Sequence, residues 1–301
     1  MTVDLGLPSD LHERAVRQFD ALHAQGSLLY SQTTPEIVTH NGFTFEFRVC
    51  PILNGKQILS KDAPERAGKG GPFINPDPAF VVTHFGQTHT LLLNLRCIYR
   101  PMYVLHTRLF APQTDDLDPS DIDAAWSIMG KLAASPDAGP QMMIYNCGVD
   151  AGSSQGHKHV QIFELSSQVV LFPSRAESTQ EITSDIPEVP YEHYVLRLAP
   201  GATSPQVHYT LQRLVDAARL ARSSPGGSDW NDYNVVLTAE WVCVIPRRHA
   251  MVGTTGANGA AIVGLAWVRD QAERDSWDEL GLTKHLAYLA VEKVQKSEGS
   301  Q

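Results

Sequence analysis

Residues 146–161 read Asn146-Cys147-Gly148-Val149-Asp150-Ala151-Gly152-Ser153-Ser154-Gln155-Gly156-His157-Lys158-His159-Val160-Gln161, a polar, glycine-rich turn that runs into His-x-His-x-Gln. Side chains on a strand alternate between faces. His157, His159 and Gln161 are therefore expected on one face, with Val160 and Ile162 on the other. Two imidazoles and a carboxamide then stand beside a loop rich in backbone N–H groups, the kind of loop that forms a nest for anions. A neutral imidazole can attack phosphorus and form a phosphoramidate, which splits one transfer into two steps. In this reading His159, held mid-strand, is the nucleophile, and His157 orients it or shuttles a proton. Gln161 offers an N–H to a non-bridging oxygen but cannot act as a general acid. Ser153, Ser154 and the neighbouring N–H groups hold a phosphate or the leaving group. A bare His-x-His is more often an ordinary strand with two half-exposed histidines. The Gly-Ser-Ser-Gln before it and Gln161 after it turn the balance toward a site.

Two histidines on one strand face also serve as zinc ligands, but a third ligand is needed. His89, His106, Asp150 and Cys147 have no ligand spacing, so no metal site is assigned. Gly68-Lys69-Gly70-Gly71 lacks the Ser or Thr that completes a P-loop, and there is no Gly-x-Ser-x-Gly elbow. His193, His208, His249 and His285 are isolated and are read as surface or satisfied core residues. Arg247-Arg248-His249 reads as a solvated strand end, and Trp241 and Trp267 as core.

The elements that must position the motif follow from pattern. The 301 residues are 43% hydrophobic and 19% charged, as in a soluble globular chain of one large or two intimate domains. A net charge of −9 argues against nucleic-acid or membrane-surface partners. The four cysteines, Cys50, Cys97, Cys147 and Cys243, are widely spaced, which fits reduced buried thiols in the cytoplasm. Neither a leader at Met1-Thr2-Val3-Asp4-Leu5 nor a membrane span is expected.

A first helix is expected from about Asp10 to Gln25, with Asp10 and Glu13 as a capping box. Phe43–Val49 alternates as a strand, and residues 60–78 read as a long loop. Strands follow at Ala79–Thr83, Thr88–Asn94 and Tyr103–Arg108, then a helix from Asp118-Pro119 to about Ala134 and a strand at Gln141–Cys147. Residues 173–190 read as a linker or an ordered surface excursion. Glu192–Leu198, a helix from Ser204-Pro205 to about Arg222, the loop 223–227, a hairpin at Tyr233–Thr238 and Trp241–Pro246, an apolar strand at Ala261–Val268 and a helix over about 277–296 complete the pattern. The expected organisation is α+β: a catalytic part at 1–172, a linker at 173–190, and a second part at 191–301. An antiparallel sheet carries flanking helices, and the second half repeats the logic of the first loosely.

The motif resembles the fungal ATP adenylyltransferases, or diadenosine tetraphosphate (Ap4A) phosphorylases, of the histidine-triad (HIT-like) superfamily, on the galactose-1-phosphate uridylyltransferase branch. The similarity also takes in Phe73-Ile74-Asn75-Pro76-Asp77-Pro78, Thr88 to Asn94, Tyr233 to Thr238, Trp241 with Pro246-Arg247, and Asn258 to Arg269. It implies a HIT-like antiparallel sheet and a covalent nucleotidyl-His159. Attack on the α-phosphate of Ap4A would expel ATP, and inorganic phosphate would then take the AMP group as ADP. Gln161 would steady the intermediate. Lys56, Asn94, Asn146, Gly152, Ser153, Ser154, Gln155 and, more distantly, Asn258 match nucleotide- or phosphate-holding positions. No covalent cofactor is implied; Mg2+ would accompany the nucleotide, and the chain would be a monomer or homodimer. Leu95-Arg96 stands where the family usually has Lys-Phe, Tyr99 to Tyr103 differs from its Val-Pro-Asn-His run, and Asp150-Ala151 replaces Asn-Ser. Two readings compete with phosphorolysis: a divergent histidine-triad hydrolase, lyase or transferase on another phosphorylated or adenylylated metabolite, and a nucleotide-binding protein without catalysis.

Overall fold

The alternating segments around the motif come together as one eight-stranded sheet in a computed structural model that describes residues 6–56, 58–165, 168–223 and 229–293. From one edge the strands run Tyr194–Arg197, Trp241–Arg247, Asp232–Thr238, Gln141–Cys147, His159–Glu164, Met102–Thr107, His89–Leu93 and Val81–Phe85. Every neighbouring pair is antiparallel. The α+β class and the antiparallel sheet with helices packed on it are as expected.

The histidine strand lies inside this sheet, between Gln141–Cys147 and Met102–Thr107. Interior strands have both edges paired, so the backbone that carries His159 is held on both sides. The second part of the chain joins through Asp232–Thr238, which pairs with Met142 to Cys147 and sets Asn234 opposite Asn146. Residues 173–190 are tied to this sheet: Thr183 pairs with Val195, and Ala176, Ile186 and Val189 are buried. A smaller three-stranded sheet, Leu265–Val268, Phe43–Val49 and Glu36–His40, also joins early and late sequence, with its first pair parallel.

Helix Pro119–Ala133 begins as its residues dictate. Asp118 accepts from the N–H groups of Ser120 and Asp121, Asp121 reaches back to the Asp118 N–H, and Pro119 fills the first turn. Ile122, Ala125, Met129 and Leu132 form its buried stripe, packed against Gln141–Cys147 and against helix Ser204–Ser223. The four cysteines are free and buried. No helix among the described residues is long and apolar enough to cross a membrane.

Several elements differ from the pattern reading. Helix Leu11–Ala24 has no capping box: Asp10 pairs with Arg17 at 3.1 Å and Glu13 accepts from Ser135 Oγ at 2.8 Å. A residue two turns along the same helix took one carboxylate and a distant serine the other. Ala261–Val268 is not one strand. Residues Ala261–Val263 form a 3-10 turn, and Gly264 at φ +108° turns the chain into Leu265–Val268. A Cβ on Gly264 would lie 2.5 Å from the Thr44 carbonyl, so the small sheet closes only over a glycine. The final helix is two, Gln271–Leu280 and Leu282–Leu289, broken at Gly281. Its expected continuation past 293 and most of the loop 223–227 lie outside the described residues, as does Met1-Thr2-Val3-Asp4-Leu5.

Candidate functional site

A cleft of about 600 Å3 opens over the histidine strand. Its polar wall brings together His159, Gln161, Ser154, Gln155, Lys56 and Asn94, and its apolar wall includes Phe73, Phe80, Leu92 and Val104. Six of the residues singled out from the sequence thus meet in one cavity, drawn from the histidine strand, the turn before it, the 53–56 turn and the end of strand His89–Leu93.

His159 is buried, and the neighbours of its ring decide its chemistry. Nδ1 lies 2.8 Å from the His157 carbonyl. A carbonyl only accepts, so Nδ1 carries the proton and Nε2 keeps its lone pair. The backbone beneath is pinned by Gln113, whose Oε1 accepts from the His159 N–H at 2.7 Å while its Nε2 donates to the carbonyls of His159 and Asn146. Burial draws the imidazole pKa down to about 4, with the charge of Lys56 adding to the effect. The ring is therefore neutral, the form that attacks phosphorus. Phe73 flanks it, with ring centroids 5.1 Å apart.

The His157 ring lies on the same side as His159: both flank Phe73, at 5.9 and 5.1 Å between centroids, and His157 also meets His106, the residue paired across from His159, at 5.5 Å. The strand begins at His159, and His157 sits just before it, bridged to Pro112. Its Nε2 lies 2.8 Å from the Thr107 carbonyl and 3.0 Å from Thr107 Oγ1, and its Nδ1 is buried without a partner. The His157 ring bonds Thr107 and not the His159 ring, and it is the His157 carbonyl that orients the nucleophile.

Lys56 reaches solvent, yet the protein around its ammonium and the charge of Arg96 hold its pKa below that of a free lysine. Asn94 lines the cleft, and its Oδ1 accepts from the Arg96 N–H at 3.2 Å. Leu95 is half exposed at the cleft wall. The Arg96 guanidinium is spent on the carbonyls of Ile52, Asn54 and Gly55, and Arg100 on Asp20, so neither is free to stand in for a lysine at position 95.

The other expected nucleotide contacts lie behind the cleft. Asn146 Oδ1 accepts from Asn234 Nδ2 at 2.9 Å and from the Gly259 N–H at 2.8 Å. Asn258 Oδ1 caps the N–H groups of Ala260 and Ala261. Ser153 is buried and its Oγ donates to the Gln155 carbonyl. Gly152, at φ +88°, lets the Ala257–Asn258 backbone approach to a distance that a Cβ would contest at 3.0 Å. These four residues fix the shape of the turn and do not line the cleft.

Arg247 is no solvated strand end. It is buried, and its guanidinium bonds Asn234 Oδ1 at 2.6 Å and the carbonyls of Leu289, His249 and Ala257. Burial lowers its pKa to about 10. Trp267 is half-buried and lines the cleft. His285 is core but unsatisfied, with neither ring nitrogen paired. Among the described residues no three His, Cys, Asp or Glu side chains gather as a metal would need; His89 Nε2 instead meets Asp121 at 2.8 Å.

Sequence reasoning missed Gln113, and it placed neither Phe73 nor His106 against His159; His106, weighed only as a metal ligand, pairs across from His159 and stacks on Phe73 at 4.9 Å. Only the His106 position carried a signal, since an imidazole stands inside an otherwise apolar strand.

Residues 4–174 match the family model of the Ap4A phosphorylase N-terminal domain, and residues 187–292 match the ATP adenylyltransferase C-terminal domain. The chain is 27% identical to diadenosine 5',5'''-P1,P4-tetraphosphate phosphorylase 2 of Saccharomyces cerevisiae, over 92% of this chain and 91% of the yeast protein. It is 29% identical to protein APA1 of the same yeast, over 82% of each. The crystal structure of yeast Ap4A phosphorylase Apa2 superposes with a TM-score of 0.79 at 24% identity, covering 97% of this chain and 98% of that one.

Proposed function

The chain belongs to the Ap4A phosphorylase family, and from that membership we propose that it is a nucleotidyltransferase that phosphorolyses Ap4A to ATP and ADP through His159. The carrying observation is the His159 ring: Nδ1–H is committed to the His157 carbonyl, and the neutral ring lines a cleft shared with Lys56, Ser154, Gln155 and Gln161.

In the first half-reaction Nε2 forms a bond to the α-phosphorus, and the bond from that phosphorus to the bridging oxygen of the departing ATP breaks. Positive charge develops on the ring as the P–N bond forms, and the His157 carbonyl on Nδ1–H stabilises it. ATP leaves as a polyphosphate anion and needs no proton, which suits a site where Gln161 stands in place of an acid. Lys56 offset charge on the phosphates, with the amide of Gln161 on a non-bridging oxygen. In the second half-reaction an oxygen of inorganic phosphate attacks the same phosphorus, the P–N bond breaks, ADP leaves and the imidazole is restored. Mg2+ would travel on the polyphosphate, because the described residues gather no metal-ligand cluster of their own. Soluble nucleotide and phosphate are the expected partners, in the cytoplasm.

Intact-protein mass spectrometry after brief incubation with Ap4A in phosphate-free buffer tests this. An acid-labile gain of one AMP, missing in His159→Ala and discharged as ADP by added phosphate, is the expected result. A folded wild type that takes no label would remove the covalent mechanism and favour a different adenylylated substrate.

A further inference from the structure

Arg66 does not line the cleft, yet it organises the turn that faces it. Its Nε donates to the Ser60 carbonyl at 2.8 Å, Nη2 to those of Leu59 at 2.8 Å and Ser153 at 3.1 Å, and Nη1 to that of Gln155 at 3.3 Å. The intervening Ser154 carbonyl accepts from the Leu59 N–H at 3.3 Å. Three consecutive carbonyls, 153, 154 and 155, are thus held by one segment, residues 59–66. In a trans peptide plane C=O and N–H point in opposite directions, and these peptides are trans. The N–H groups of Ser154, Gln155 and Gly156 must therefore point away from that segment. None of the three has an acceptor among the described residues. Successive unpaired N–H groups are what an anion nest consists of, and Ser154 and Gln155 share the cleft with His159.

We propose that Arg66 is a positioning residue for phosphate: by holding the carbonyls of Ser153 and Gln155 it turns the intervening N–H groups toward the substrate's phosphate beside His159. The inference rests on the nucleotidyl-transfer reading of that cleft and deepens it. Arg66 lines a separate cavity and not the cleft, so it acts through the backbone and not as a ligand. A second observation shows the docking is built in. A Cβ on Gly156 would lie 2.2 Å from the Arg66 Cα, so only glycine admits the segment at this distance. A lysine would bring one charge but no fork to span two sets of carbonyls.

The test compares wild type, Arg66→Ala and Arg66→Lys in equilibrium binding of AMP and of adenosine, with single-turnover labelling of His159 by Ap4A. In both variants AMP affinity falls roughly tenfold, the low end of the worth of one charge-assisted hydrogen bond, while adenosine affinity holds. The labelling rate falls about a hundredfold, in the range for losing one preorganised donor. Equal losses of AMP and adenosine would mean that Arg66 merely supports the cleft, and unchanged AMP affinity would mean that it does not shape the nest; either overturns the proposal. Full activity in Arg66→Lys would overturn the need for the fork. If Arg66→Ala melts too low to assay, Arg66→Lys carries the same comparison. A wild type that takes no label removes the transfer reading, and the AMP-against-adenosine comparison still decides the nest.

Discussion

Asp121→Ala should cost about 3 kcal/mol of stability, the lower end of the 3–5 kcal/mol for stranding a buried charge. Lys158, between the two motif histidines in sequence, turns to the far side of the sheet, where its side chain is 6% exposed. Its ammonium donates to Asp121 Oδ2 at 2.9 Å and to the Asp116 carbonyl at 3.0 Å, with Asp118 Oδ2 at 3.7 Å. Asp121 is itself 5% exposed; its Oδ1 meets His89 Nε2 at 2.8 Å and its Oδ2 accepts the Asp118 N–H. Removing the carboxylate strands the ammonium and opens half of the capping box. Because the Asp116 carbonyl and Asp118 remain near Lys158, the lower end applies. Domains carry about 5–15 kcal/mol in total, so the variant sits near its threshold. Urea unfolding followed by tryptophan fluorescence and circular dichroism measures the midpoint, read at constant m. Asp121→Leu combined with Lys158→Met should recover most of the loss, since a buried ion pair exchanged whole for apolar groups is close to neutral. A single-variant loss below about 1 kcal/mol, or a double variant no better than the single, would refute this account of the buried charges.

Three further outcomes are expected. With its pKa near 4, His159 stays neutral through the usual imidazole range, so the rate of its labelling by Ap4A should hold from about pH 8 to about pH 5 and fall only as pH approaches 4; a fall centred near 6.5 would contradict the burial argument. His285, buried with neither nitrogen paired, is also held near 4 by burial. A depressed histidine binds protons more readily when unfolded, so stability is full above the unfolded value of about 6.5 and drains as pH falls toward 4; His285→Leu should flatten that part of the pH–stability curve, and an unchanged slope would count against it. Leu95→Lys places a cation on the half-exposed wall of the cleft where the family usually has lysine, so KM for Ap4A should drop severalfold in steady-state assays while the melting temperature is unmoved.

The strands were legible because their signal is local. Gln141–Cys147 and the hairpin around 239–240 matched their patterns closely, since buried runs between turn residues leave little choice. Asp118-Pro119 announced a helix start that the structure builds bond for bond. Where other side chains and backbone competed, local reading failed: Asp10 and Glu13 spelled a capping box but were claimed by Arg17 and Ser135, and Arg247 looked like a wet strand end until Asn234 and four carbonyls enclosed it. In the site, the motif and the resemblance supplied His159, Gln161, Ser154, Gln155, Lys56 and Asn94, all of which the cleft unites. The division of labour among Asn146, Gly152, Ser153 and Asn258 was not legible. A residue that contacts a ligand and one that braces the contacting loop carry the same type and spacing, and only the direction of the side chain separates them.

The parallel pairing of Leu265–Val268 with Phe43–Val49 sets a schedule for synthesis on the ribosome. The aromatic strand Phe43, Phe45 and Phe47 leaves the exit tunnel early, but the partner that completes one of its edges is made more than two hundred residues later. At about 5–20 residues per second, that edge stays open on the order of ten seconds or more. Trp277, which packs edge-on against Phe45 and Phe47, arrives later still. The nascent chain must therefore carry an unpaired, aromatic strand edge through most of its elongation, the kind of surface on which holding chaperones act and at which crowded polysomes cross-associate. Rapid overexpression should trap this chain in inclusion bodies more readily than its finished surface would lead one to expect.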